Sequence, residues 1–181
     1  MPNTPLYPEK LLRACLRNDR QGQYELYQRY KVYLFGVCMR YAKNRAEAED
    51  ILQEGFYKIL RDLKQYNRKV TLQSWMRKVM VNSALMHIRK HHKLKLESTE
   101  PIPEINELLV DNSLLETNRA NAVIQLIQQL PITQQTVFNL RAIEGYSFKE
   151  IAQQLETNEA TLRSYYRRAR LQLQQLLQKE W

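Results

Sequence analysis

Between Glu9 and Glu100 the sequence contains no proline, while Leu, Ala, Arg, Gln and Glu recur throughout. Proline removes an amide donor and clashes with the preceding helical turn, so a long proline-free run of good helix formers argues for helices. Alternation with period two is never sustained long enough to build a sheet. The expected fold class is therefore all-α. Proline and glycine elsewhere act as punctuation: Pro101 and Pro103 fall close together, Pro131 stands alone, and Gly145 sits where a helix C-cap favours positive φ.

Apolar spacing predicts helices near residues 9–17, 22–42, 45–65 and 71–91, and then near 114–130, 133–144, 147–155 and 158–178. Asn44 with Glu47, and Ser147 with Glu150, have the spacing of helix-starting caps. On the fourth helix Leu72, Trp75, Val79, Asn82 and Met86 line up at helical spacing, which makes Trp75 a core residue. Cys15 and Cys38 both lie in helical, partly apolar patterns and read as free buried thiols of a reducing compartment.

Charge is sharply segregated. The chain carries 28 Lys and Arg against 19 Asp and Glu, a formal net charge of +9 that favours a polyanionic partner. Residues 61–96 hold ten basic side chains and one acid, Asp62. Residues 97–118 hold six acids, from Glu97 to Glu116, and no Lys or Arg. With its two prolines, the acidic stretch reads as an extended, solvated connector. The expected layout is a helical domain over residues 1–95, an acidic linker over 96–113 and a second helical domain over 114–181. No apolar run approaches the roughly 20 residues of a membrane span, and the N-terminus lacks a signal-peptide core, so the expectation is a cytoplasmic protein without membrane insertion.

The segment SFKEIAQQLETNEATLRSYYRRAR, residues 147–170, reads as a short helix, a tight turn and a second helix. Ile151, Ala152 and Leu155 give the first helix one apolar face; Leu162, Tyr166, Ala169 and Leu173 give the second its own. The outward side of the second then carries Arg163, Ser164, Arg167, Arg168 and Arg170. Arginine forks onto guanine edges or phosphates, and a helix-turn-helix inserts such a helix into the major groove. The alternative is an amphipathic hairpin with a solvated basic face.

Catalytic constellations are missing from the pattern. The four glycines form no phosphate-cradling loop. His91 and His92 are adjacent, so on a helix they point about 100° apart; His87 and His91 share a face but have no cysteine or carboxylate at zinc-site spacing. Glu47, Glu49, Asp50 and Glu54 form a carboxylate cluster on the third helix, with Asp50 and Glu54 on one face; a solvated face or a docking face for a basic partner is the reading favoured over a metal pair. Neither a cofactor nor an enzymatic activity is expected. Tyr66, Asn67, Arg68, Lys69 and Val70 fall between two helices, where a basic loop with an aromatic can engage an unstacked base.

These residues resemble the extracytoplasmic-function (ECF) sigma factors, bacterial subunits that direct RNA polymerase to promoters. NRAEAEDILQEGFYKIL and TLQSWMRKVMVNSALMHIRKHHK resemble segments of the family's region 2, and LIQQLPITQQTVFNLRAIEGYSFKEIAQQLETNEATLRSYYRRARLQL resembles its region 4. The resemblance implies that Asp50, Gln53 and Glu54 dock on the β′ clamp helices of core RNA polymerase. It implies that the 66–71 loop and the following helix, with Tyr66, Asn67, Arg68, Lys69, Arg77, Lys78 and Asn82, engage and help open the -10 element of promoter DNA. Thr161, Arg163, Ser164, Arg167, Arg168 and Arg170 would then read the -35 element. The helices flanking Pro131 would meet the β flap, the acidic connector would thread the polymerase channel, and an anti-sigma factor is the implied regulatory partner. A stand-alone helix-turn-helix regulator and an RNA-binding adaptor are the rival readings. Departures from the family pattern are Glu156 where Gly is usual, Thr157 where an aliphatic residue stands, Gly55 inside the third helix, Met86 in place of Asp, and Tyr165 and Tyr166 in place of Arg and Leu.

Overall fold

The computed structural model describes residues 8–92 and 118–180, and every regular element among them is helical. The chain divides into two compact units, Met1–His87 and Ile88–Trp181. The acidic connector and the basic residues Lys93 and Lys95 lie outside the described residues.

The first unit is built from α1 (Pro8–Leu16), α2 (Arg20–Tyr41), α3 (Arg45–Asp62, continued by a 3-10 turn, Leu63–Gln65) and α4 (Leu72–His92, whose end crosses the division). Side-chain caps fix three of the starts. Asp19 accepts from the Gly22 amide at 3.0 Å, Asn44 from the Glu47 amide at 2.9 Å and Thr71 from the Ser74 amide at 3.2 Å. Each such cap satisfies a helix-end donor and is worth about 1 kcal/mol. The core joins Leu11 and Cys15 of α1, Leu26, Leu34 and Cys38 of α2, Ile51, Phe56 and Ile59 of α3, and Met76 and Met80 of α4.

One sequence expectation fails here. Leu72, Trp75 and Val79 are half-buried, Asn82 is exposed and Met86 is 55% exposed. The buried stripe of α4 runs one residue later, through Met76, Met80 and Ala84, all fully buried. The reason is Gly55. A methyl placed there would collide with the Met80 sulfur and lie 2.8 Å from its Cε. The helix-weakening glycine in α3 thus makes room for the methionine that sets the rotation of α4.

The second unit comprises α5 (Asn118–Gln128), α6 (Ile132–Phe138), a π-helical turn (Asn139–Ile143), α7 (Phe148–Leu155) and α8 (Glu159–Glu180). Leu126, Ile127 and Leu130 pack with Ala169 and Leu173 of α8, flanked by Phe138, Ile143 and Leu176. The single helix expected over 133–144 widens after Phe138, where the Glu144 amide bonds to the Asn139 carbonyl at 2.9 Å. Gly145 follows at φ +80°, as a C-capping glycine should.

Candidate nucleic-acid interface

The helix-turn-helix begins at a full capping box. Ser147 Oγ accepts from the Glu150 amide at 3.2 Å, and the Glu150 carboxylate accepts from the Ser147 amide at 2.7 Å. Ile151 and Leu155 are buried and close one side of α7. Glu156 ends it in the left-handed conformation, φ 54° and ψ 46°. The position where the resembled family has glycine thus keeps a glycine-like backbone with a glutamate side chain. Asn158 then caps α8 by accepting from the Thr161 amide at 2.8 Å.

On α8, Leu162 and Ala169 are fully buried, Leu173 nearly so, and Tyr166 is half-buried. Arg163, Ser164, Arg167, Arg168 and Arg170 are exposed. Thr161, in the first turn, is 9% exposed.

Sequence reading missed the support beneath these arginines. The Arg163 guanidinium lies 4.7 Å from the Phe148 ring centroid and bonds to Glu159 at 3.0 Å. Arg141 lies 5.1 Å from the same centroid and donates to the Tyr146 carbonyl at 3.1 Å. Phe148 meets Tyr166 edge-on at 5.7 Å, Tyr166 stacks near Phe138 at 6.1 Å, and Arg170 sits 5.9 Å from the Tyr166 ring. Cations over ring faces are held by the ring quadrupole. The only sequence signal was composition, since Phe138, Arg141, Phe148 and Arg163 lie in different elements.

In the first unit the 66–71 loop is self-braced. Tyr66 donates to the Val70 carbonyl at 2.8 Å, Asn67 accepts from the Lys69 amide at 3.1 Å, and Arg68 takes φ 63°. Asn67, Arg68 and Lys69 are exposed, and Arg68 reaches Glu9 of α1 at 3.4 Å. The Tyr66 and Trp75 rings meet at 5.6 Å, so Trp75 backs the loop and is half-buried instead of central to the core. Lys78 and Asn82 are exposed on α4, and Arg77 is half-buried.

Asp50, Gln53 and Glu54 are all exposed on α3. Beside them lies a cavity of about 400 Å³, lined by Tyr27, Val32 and Phe35 of α2 and by Glu49, Leu52 and Gln53 of α3. The carboxylate cluster splits in two: Glu49 faces outward and pairs with Arg45 at 2.9 Å, while Glu47 faces inward, 3.4 Å from His87. Among the described residues, no group of three His, Cys, Asp or Glu side chains is arranged to hold a metal, and no helix is long and apolar enough to cross a membrane. Cys15 and Cys38 are free and buried, and burial pushes their thiols up to about 11 and about 12.

Comparison with known proteins agrees with the two units in order. Residues 26–94 match the family described as sigma-70 region 2, and residues 120–173 match sigma-70, region 4. The RNA polymerase sigma-H factor of Pseudomonas aeruginosa is 26% identical, over 94% of this chain and 93% of its own. The ECF RNA polymerase sigma factor SigM of Mycobacterium tuberculosis is also 26% identical, over 93% and 83%. Two solved structures share the fold: CnrH in complex with the cytosolic domain of CnrY (TM-score 0.51, 18% identity, 94% of this chain and 97% of that one), and the sigma factor RpoE of Bartonella quintana in complex with the anti-sigma factor NepR (TM-score 0.50, 18% identity, 85% and 97%).

Proposed function

We propose a division of labour within this chain, which belongs to the ECF group of sigma-70 RNA polymerase sigma factors. It binds core RNA polymerase and directs promoter-specific initiation, acting in the cytoplasm without catalysis of its own, since the polymerase supplies the chemistry. Asp50, Gln53 and Glu54 form the docking face for the β′ clamp helices. The 66–71 loop with Arg77, Lys78 and Asn82 engages the -10 element, where strand opening requires capture of unstacked bases. The basic face of α8 reads the -35 element as duplex in the major groove. An anti-sigma factor is the proposed regulator, a reading supported by the RpoE–NepR complex.

The observation that carries the reading is α8 itself. It buries Leu162, Ala169 and Leu173 against its own unit and turns Arg163, Arg167, Arg168 and Arg170 to solvent behind a capped helix-turn-helix. Reconstitution with core polymerase on a genomic promoter pool tests it. A discrete set of run-off transcripts that depends on the protein is the expected result. Binding to core without any new transcript, or failure to bind core, overturns the assignment.

A further inference from the structure

Two contacts restrain the Arg163 guanidinium on the α8 face: the Glu159 carboxylate at 3.0 Å and the Phe148 ring at 4.7 Å. Glu159 stands in the first turn of α8 and Arg163 one turn later, on the same face. The N-terminal residues of a reading helix are those that reach base edges. Phe148 is itself fixed, edge-on against Tyr166, and it comes from the other helix of the motif. The guanidinium is thus tied to both helices, where a surface arginine ordinarily samples many rotamers.

We propose that Glu159 and Phe148 are specificity-determining positioning residues, which hold Arg163 as a reader of a base edge and keep it from serving as a phosphate clamp. The inference builds on the -35 reading of α8. Its physical basis is the sign of Glu159. A free arginine gains nearly as much from any phosphate as from a guanine, and phosphate contacts carry no sequence information. For Arg163 to swing to a phosphate it must leave both the carboxylate and the ring, and it would leave an acid facing the DNA backbone. At a guanine O6/N7 edge the fork can engage while the carboxylate still buttresses it, and a bidentate contact of this kind discriminates strongly between bases. Phe148 supplies the ring against which the planar fork rests, and the Arg141 guanidinium lies 5.1 Å from the same ring centroid.

The test uses holoenzyme reconstituted with wild type, Glu159→Gln, Phe148→Leu, Arg163→Ala and the Glu159→Gln/Arg163→Ala double variant. Each is offered a promoter pool randomised in the upstream element. Wild type is expected to enrich a sequence with a defined guanine. Glu159→Gln and Phe148→Leu are expected to flatten the preference at that position, with the ratio of binding to enriched over scrambled upstream duplex falling about tenfold. Glu159→Gln should also steepen the salt dependence on the scrambled duplex, by up to about one phosphate contact. In the Arg163→Ala background Glu159→Gln should change the preference no further, which a purely structural role for Glu159 does not predict. If wild type enriches a sequence and both single variants keep its preference and ratio, the inference is overturned while the -35 reading stands. If wild type enriches no upstream sequence, both fall together.

Discussion

Glu47 Oε1 lies 3.4 Å from His87 Nε2, linking the first turn of α3 to α4 inside the first unit. The other carboxylate oxygen accepts from the Lys43 amide at 2.7 Å. Both side chains are largely withdrawn from water, at 11% and 7% exposure, whereas Glu49, two residues on, is 49% exposed in its surface pair with Arg45. Two acids of the same cluster therefore have different physical roles. Glu47→Ala removes an acceptor from a helix start and a partner from a buried imidazole, and is expected to destabilise the first unit by about 2 kcal/mol. Glu49→Ala should cost less than about 0.5 kcal/mol. Urea unfolding of the two variants checks the contrast, and equal midpoints would count against it.

Lys43, just before the Asn44 cap, gives the protein a stability signature at alkaline pH. Burial holds its ammonium down from 10.5 to about 8, although the Glu47 carboxylate pulls the other way. The folded chain therefore releases this proton before the unfolded chain does. Between about pH 8 and 10.5 the unfolded state binds more proton, so the Lys43 contribution to stability rises with pH across that window. Lys43→Met should flatten the difference by removing the titration and should be relatively most stabilising below pH 8. Parallel denaturation series of wild type and variant from pH 7 to about 10.5 read this directly; curves that stay parallel would refute it.

Glu156 marks a third testable point. A non-glycine residue in the left-handed region costs about 1–2 kcal/mol, part of which glycine gives back through greater freedom in the unfolded chain. Glu156→Gly is therefore expected to stabilise the second unit by about 0.5–1 kcal/mol. A lowered thermal midpoint would mean that the Glu156 side chain makes a stabilising contribution larger than its backbone strain.

What could be read from the chain depended on how local the cause was. The Ser147–Glu150 box, the Asn44 cap and the positive φ of Gly145 are set within a few residues, and their positions follow from residue type alone. The α8 core face also followed from spacing, because charge on the other side left one choice. The face of α4 did not. Apolar residues occupy both the Leu72–Trp75–Val79 line and the Met76–Met80–Ala84 line, and the choice was made by a missing side chain on another helix, Gly55. The rings under Arg163 and Arg141, Phe138, Phe148 and Tyr166, come from three separate helices, so no short window along the chain contains them.

The Gly55–Met80 contact makes an energetic coupling measurable. Gly55→Ala gains about 1 kcal/mol of helix propensity but forces a fully buried methionine to move, and overpacking costs about 1–3 kcal/mol. Met80→Ala alone should cost about 2–5 kcal/mol by leaving a cavity. Combined, the new methyl enters space that the methionine has vacated. The double variant is expected to be more stable than the sum of the single changes predicts, by at least about 1 kcal/mol. Additive values would show that α3 and α4 are not in the contact described.

The proposed docking face on α3 allows binding to be tested apart from folding. Asp50, Gln53 and Glu54 are exposed on α3, so changing them leaves the core of the first unit untouched. Asp50→Lys/Glu54→Lys reverses the sign of the face and shifts its charge by four. Like-charge juxtaposition with a basic partner costs several kcal/mol across an interface. Core polymerase binding should therefore fall by more than about a hundredfold, with thermal unfolding close to that of wild type. Gln53→Ala, which removes no charge but also alters the rim of the α2–α3 cavity, should weaken binding only a few-fold. Retained affinity in the reversed variant would place the polymerase contact elsewhere on the first unit, whereas a large loss in Gln53→Ala alone would shift the weight of the interface from the acidic face to the cavity.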